Sequence, residues 1–155
     1  PTAAAALAAY QALPHRLSFV AKKDGVRFYD DSKCTTPDGA IVAIESFDAG
    51  KVVIIVGGYD KGADFCSLGE ALAARAKAVI AMGATKHKIA AAVEAAAGPA
   101  PFEFADDLAA AVEAARRHAL PGDVVLLSPA CASYDMFVNY EQRGRQFTEL
   151  VQKPS

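Results

Sequence analysis

The spacing of apolar positions changes several times along the chain, and each change predicts an element. "LSFVAKK" (17–23) and "VRFYDD" (26–31) alternate apolar and polar residues, and Asp24-Gly25 between them predicts a tight hairpin. Ahead of the hairpin, "PTAAAALAAYQALPHR" suits a short helix ended by Pro14. Thr36-Pro37-Asp38 reads as a helix start, with Thr as N-cap, Pro in the first turn and an acid at the positive helix end. The helix "DGAIVAIESF" closes near Asp48-Ala49-Gly50. "KVVIIVGG" is a continuous β-branched run, the pattern of a strand covered on both faces.

From there helix and strand patterns alternate. "SLGEALAARAK" is helical, "AVIAMG" a strand, and "TKHKIAAAVEAAAG" a helix ending at Gly98. "FEFA" is a short strand, "DDLAAAVEAARRHAL" a helix with two acids in its first turn, and "DVVLLS" an apolar strand. After the small residues of "SPACAS", "YDMFVNYEQRGRQFTELVQ" predicts a last helix that begins at Tyr134 and is interrupted at Gly144. The alternation predicts an α/β, Rossmann-like three-layer sandwich. Its sheet is mostly parallel, of about six strands, with one antiparallel edge strand from the N-terminal hairpin.

Composition narrows the partners. A chain of 155 residues, 53% of them apolar, is one domain able to bury a core. No stretch long enough to span a membrane is free of charge or glycine. The N-terminus lacks the basic start and apolar centre of a signal peptide. Net charge is −2 with both signs dispersed, and no basic stripe points to nucleic acid. Cys34, Cys66 and Cys131 are odd in number and lack CxxC spacing, which reads as reduced thiols in the cytoplasm, without zinc site or disulfide. The chain opens abruptly within a helical pattern and without Met, as a piece cut from something longer would.

In a sheet of this kind ligands bind at the carboxyl ends of the strands. Those ends carry Asp30-Asp31-Ser32-Lys33-Cys34-Thr35-Thr36, Gly57-Gly58-Tyr59-Asp60-Lys61-Gly62-Ala63-Asp64, Gly83-Ala84-Thr85 and "SPACAS", whereas the opposite ends carry little but Asp-Gly, Ala-Gly and Pro-Gly turns. Each residue also has a structural reading: Asp30 and Asp31 as caps, Lys61 as a solvated loop lysine, Ser128 and Ser133 as helix caps. Cys131 lacks a nucleophile elbow and reads as a buried small thiol. His15 and His118, each beside an arginine, read as surface or helix-end residues. No phosphate loop or dinucleotide fingerprint occurs, and no metal-ligand spacing. The domain therefore offers cations and hydroxyls for an anion, without a triphosphate cradle.

"PHRLSFV", "GVRFYDDSKCTTPDGAIVAIESF", "GGYDKGADF" and "LLSPACASYDMFVNYEQRGRQF" resemble, in that order, the C-terminal domain of the Mur ligases, from about Leu13 to Val151. The Asp-Ser-Lys turn and the Asp-Lys-Gly-Ala-Asp-Phe loop resemble the branch that adds D-glutamate more than those adding alanine, a diamino acid or a dipeptide. The resemblance implies one part of a three-domain, ATP-dependent ligase of peptidoglycan synthesis. Residues 1–13 would be a remnant of the preceding helix and 14–155 the amino-acid-binding domain. ATP and Mg2+ would be bound mainly by a central domain with a phosphate loop, so this chain alone would be inactive. The enzyme would be a cytoplasmic monomer that activates the UDP-N-acetylmuramoyl-L-alanine carboxylate as an acyl phosphate, which the D-glutamate amine attacks. Its product would serve the cell wall, and through it cell shape and division.

By the same resemblance, Lys61 and Thr35 take the D-glutamate α-carboxylate, and Ser133, beside Tyr134, and the amide at Tyr140 take its side-chain carboxylate. Arg16 faces the ATP phosphates, Asp31 the ribose hydroxyls, and Lys33 substrate or phosphate. No catalytic residue or metal ligand falls in this chain. Cys34 and Thr36 stand where the family pattern has alanine and asparagine, and Tyr134 and Tyr140 where it has leucine or phenylalanine. A folylpolyglutamate synthase-like domain and a stand-alone dicarboxylate-binding module are the other two readings.

Overall fold

The computed structural model of the chain describes residues 13–154, so the short helix predicted ahead of Pro14 lies outside the described residues. Strands β1 (Ser18–Lys23) and β2 (Val26–Asp30) pair antiparallel, with Ser18 opposite Asp30 and Lys23 opposite Val26. Their turn has two consecutive positive φ angles, 52° at Asp24 and 78° at Gly25, as the right-handed twist of a two-residue hairpin requires. Helix α1 (Pro37–Glu45) follows, and the Thr36 hydroxyl accepts from Gly39 N at 3.2 Å as its cap. Then come β3 (Val52–Val56), α2 (Cys66–Arg75), β4 (Ala76–Ala81), α3 (Lys86–Ala95), β5 (Phe102–Phe104), α4 (Leu108–His118), β6 (Val124–Leu127) and α5 (Tyr140–Gln152).

The six strands stand in the order β1-β2-β6-β3-β4-β5, with every pair parallel except β1 and β2. All five residues of β3 are fully buried, because alternate side chains enter two different cores. Val52, Ile54 and Val56 pack with Ala43, Ile44, Leu68, Leu72 and Ile89 of α1, α2 and α3. Val53 and Ile55 pack with Ala111, Val112, Phe147 and Val151 of α4 and α5 on the other face. Each such valine, leucine, isoleucine or phenylalanine side chain contributes about 1.5–3 kcal/mol by leaving water. The predicted three layers and single antiparallel edge are present.

Last-helix and cap details differ from the pattern. Helix α5 starts at Tyr140, not Tyr134: the Asn139 side chain accepts from Gln142 N at 2.8 Å, and the Gln142 side chain accepts from Val138 N at 2.7 Å. That reciprocal cap fixes the helix start six residues on, and Tyr134–Phe137 close only a turn over the Ser133 carbonyl. Nor does Gly144 interrupt α5, which runs through it. A Cβ there would lie 2.2 Å from His15 Nδ1, so the glycine admits a close neighbour rather than a break. Asp107 precedes α4 as its N-cap, bonded by Ala110 N at 2.8 Å.

Candidate functional site

Loops from three adjacent strands, β2, β6 and β3, converge at one end of the sheet. The loops after β2 and β3 run to helices on one face, and the loop after β6 runs to α5 on the other. Crevices of this kind, where crossovers part to opposite faces, are where α/β sheets bind ligands.

At the end of β2 the ladder continues by one bond, Asp31 N to Leu127 O at 2.8 Å. The two acids then diverge. Asp30 accepts from Ser32 N at 2.9 Å and pairs with His15 Nδ1 at 2.6 Å. Asp31 accepts from Leu17 N at 3.1 Å and from the Ser128 hydroxyl at 2.7 Å. Both carboxylates are buried. Burial pushes the Asp31 carboxyl above its usual range, against the opposing bonds from Ser128 and Leu17 and the nearby Arg16 charge. Lys33 N donates to His15 O at 2.9 Å, so residues 15–17 are strapped across the turn. His15 is thus a half-buried partner of Asp30 and not a surface residue, while His118 does sit at a helix end, 2.9 Å from Glu103.

At the end of β3, Gly57 N donates to Pro129 O and Tyr59 N to Ala132 O, both at 2.8 Å, tying this loop to the one after β6. Asp60 shapes the next turn: it accepts from Gly62 N at 2.8 Å and pairs with Lys88 at 2.5 Å. That lysine first, and the Gly62 bond next, hold the Asp60 carboxyl below the usual range. Lys61 stands exposed at the apex. After β6, Ser128 is buried and donates to Asp31, so it is no helix cap. Ala130 sits in the left-handed region at φ 62°, uncommon for a residue with a Cβ. Cys131 is buried, 3.3 Å from the Thr85 hydroxyl, and burial pushes its thiol up, as a packing thiol requires. Ser133 is buried, and its hydroxyl has no hydrogen bond among the described residues.

Beneath the three loops lies Arg143, which the sequence pattern does not single out as functional. Its side chain is 0% exposed. Nε donates to the Ser32 hydroxyl at 2.9 Å, Nη2 to Ser32 O at 2.8 Å and Nη1 to Cys131 O at 3.0 Å. The Ser32 hydroxyl donates in turn to Tyr140 O at 2.7 Å. Burial brings the guanidinium down to about 10, so it remains charged at neutral pH. One signal was available: Arg143, Phe147 and Val151 recur every fourth residue, so Arg143 heads the buried stripe of α5.

The predicted site residues fall into two groups. Arg16, Asp31, Lys33 and Thr35, with Cys34 and Thr36, line one cleft of about 360 Å3. Lys61, Ser133 and Tyr134 belong to the joined loops after β3 and β6, where the Tyr134 and Tyr59 rings meet edge to face at 6.1 Å. Tyr140 stands between the groups as the first residue of α5, where a backbone N–H has no intrahelical acceptor. No hydrogen bond or ion pair joins Lys61 to Thr35 or Ser133 among the described residues. A larger groove, about 580 Å3, lies at the other end of the sheet among Val26, Phe28, Arg116 and Pro121. Size alone does not locate the chemistry here, because the convergent donors are at the carboxyl ends.

Residues 15–131 match the model of the family described as Mur ligase, glutamate ligase domain, and the chain belongs to that family. A UDP-N-acetylmuramoylalanine–D-glutamate ligase of Solibacter usitatus is 47% identical over 148 residues, covering 96% of this chain and 33% of that protein. The like-named ligase of Pseudomonas fluorescens is 48% identical over 152 residues, again 96% of this chain and 33% of that protein. The chain thus spans about a third of the length of these relatives. Among solved structures, a murein peptide ligase of Psychrobacter arcticus superimposes with a TM-score of 0.66 at 14% identity, over 97% of this chain and 32% of that one. The folylpolyglutamate synthase of Mycobacterium tuberculosis complexed with ADP gives 0.64 at 16% identity, over 93% of this chain and 34% of its own. At such identities the likeness is one of fold.

Proposed function

We propose that this chain is the amino-acid-binding domain of an ATP-dependent ligase that adds D-glutamate to UDP-N-acetylmuramoyl-L-alanine in peptidoglycan synthesis. The observation that carries the reading is the convergence of the loops bearing Thr35, Lys61 and Ser133 from three adjacent strands. D-glutamate is a dianion with an amine, so its site needs donors at two ends and must leave the amine free to attack. Lys61 and Thr35 hold the α-carboxylate. The Ser133 hydroxyl and the free N–H of Tyr140 at the start of α5 hold the side-chain carboxylate, with Tyr134 alongside. The relatives' names favour this substrate over the folylpolyglutamate alternative, which rests on fold likeness alone.

The cleft of Arg16, Asp31 and Lys33 fits one edge of ATP, whose γ-phosphoryl group would activate the acceptor carboxylate. Two cations suit phosphate. Each Asp31 oxygen already accepts one bond, and a carboxylate oxygen has a second lone pair for a ribose hydroxyl. Mg2+ and the remaining ATP contacts belong to another domain. In this reading residues 14–155 form the domain, the chain alone does not turn over, and the enzyme works as a monomer in the cytoplasm. Its product serves the cell wall, and thereby cell shape and division.

The test is Lys61→Ala in the intact ligase. A charge-assisted hydrogen bond contributes roughly 1.5–3 kcal/mol, so D-glutamate KM rises about ten- to a hundredfold, with little change for the UDP-linked substrate. Melting temperature stays level, because Lys61 is exposed. A variant that melts early yet keeps its D-glutamate kinetics overturns the assignment. D-glutamate binding by a protein whose full gene encodes no phosphate loop favours the stand-alone module.

A further inference from the structure

We propose that Arg143 is a positioning residue: it fixes the separation of the three loops and thereby the length of the dicarboxylic amino acid that the site accepts. The inference rests on the D-glutamate reading above. Its starting point is an imbalance. A buried guanidinium is costly unless a carboxylate neutralises it, and apolar replacements of buried ion pairs are often more stable. Arg143 forms no ion pair among the described residues; its three partners are the hydroxyl and carbonyl of Ser32 and the carbonyl of Cys131. The nearby Asp30 carboxylate is already engaged by His15 and by Ser32 N. Packing alone does not account for a charge kept in such a place.

Geometry does. A guanidinium is a rigid planar fork, so the groups bonded to it are held at fixed distances from one another. Ser32 directly precedes Lys33 and lies three residues before Thr35, and Cys131 lies two before Ser133. Gly58, three before Lys61, packs on the same guanidinium: a Cβ there would lie 3.4 Å from Nη1 and 2.5 Å from Ala132 O. Through the Ser32 hydroxyl the network reaches the Tyr140 carbonyl at the helix start. One buried side chain therefore spans every element assigned to the two carboxylates of D-glutamate. Moving Ser32 relative to Cys131 changes the gap between Thr35 and Ser133, and that gap measures ligand length.

Arg143→Lys in the intact ligase keeps the charge and removes the fork. D-glutamate is compared with D-aspartate and D-2-aminoadipate, one methylene shorter and longer, by turnover or by competitive inhibition. Selectivity for D-glutamate falls about tenfold, while KM for the UDP-linked substrate stays within about twofold. A uniform loss toward all three amino acids, selectivity intact, shows a merely structural residue and overturns the proposal. Should Arg143→Lys not fold, Ser32→Ala removes only the hydroxyl between Nε and Tyr140 O. It shifts selectivity the same way by about threefold, and an unchanged ratio again overturns the proposal. Lys61→Ala in the same assay separates the two claims. If it spares D-glutamate use, the site itself is misplaced; if it abolishes that use while Arg143→Lys keeps selectivity, only the positioning role fails.

Discussion

At the amino ends of the strands the chain turns on Asp24-Gly25, Gly50 and Pro121-Gly122, whereas at the carboxyl ends of β2, β6 and β3 it buries Asp30, Asp31, Ser32, Ser128, Ser133 and Arg143. The amino end has a buried acid too, Asp123, but it pairs with Lys77 and accepts from Leu120 N at 2.7 Å. There, charge is matched within the fold. At the carboxyl end Asp30 meets His15 and Asp60 meets Lys88, but the buried Arg143 leans on a hydroxyl and carbonyls and Asp31 on a hydroxyl and an amide, so these two form no ion pair among the described residues. Three left-handed residues other than glycine stand there, His15 at φ 63°, Leu17 at φ 43° and Ala130 at φ 62°, while Asp24 at φ 52° and Ala97 at φ 54° sit in turns at the other end. The contrast is therefore one of buried charge rather than of backbone strain, and under the D-glutamate reading the end with the unpaired charge is where a ligand would complete the structure.

One stability test of this difference lies at Gly144. Its alanine variant gains about 1 kcal/mol of helix propensity. Against that, the new methyl must enter space 2.2 Å from His15 Nδ1 and 2.7 Å from Asp30 Oδ2. Overpacking at a tied pair costs about 1–3 kcal/mol, so chemical denaturation should show a net loss. At the other end, Gly122→Ala meets no atom within 4 Å and only the strain of φ 94°. Its loss should be about 1–2 kcal/mol and leave ligand use untouched. A stabilised Gly144→Ala would mean that the His15 strap is not clamped on α5.

A smaller effect sharpens the electrostatic half of the comparison. Because the Asp31 carboxyl is raised in the folded state, the folded chain holds that proton to higher pH than the unfolded chain. The group's contribution to stability is therefore present below the ordinary aspartate value of 3.8 and is lost as pH rises through the raised one. Asp31→Asn removes that decline: melting curves from pH 3 to pH 7, about the span of carboxylate titration, should show the variant gaining on wild type toward neutrality. In the intact ligase the same variant raises KM for ATP. A variant that instead loses ground as pH rises would show that ionisation of Asp31 stabilises the fold.

Much of this was legible in the sequence, for identifiable reasons. Period-two runs, a continuous Val/Ile strand and an Asp-Gly turn are local signals, and they gave β1, β2, β3 and the layers. The polar loops were legible because they stand out against Gly and Pro turns at the other end. Strand order was not, since periodicity fixes which face a residue uses and not which strand lies beside it; β6 enters between β2 and β3 only through long-range pairing. Arg143 and Ser32 were hidden because a polar residue in "YEQRGRQF" or "DDSK" reads as solvated, and their burial arises only when α5 docks beneath the loops. His15 was misread for the same reason, because its partner lies fifteen residues away on β2.

Whether the three loops bind D-glutamate together is read from a map of backbone amide shifts in this chain as D-glutamate is added, with L-glutamate as the control. Shifts are expected in three separate stretches, Lys33–Thr36, Tyr59–Gly62 and Ala132–Tyr140, larger for the D-isomer, with the amides of Val26, Phe28, Gly122 and Asp123 unmoved. Shifts confined to the groove between Val26, Phe28 and Pro121, or equal responses to both isomers across the three loops, would contradict that binding.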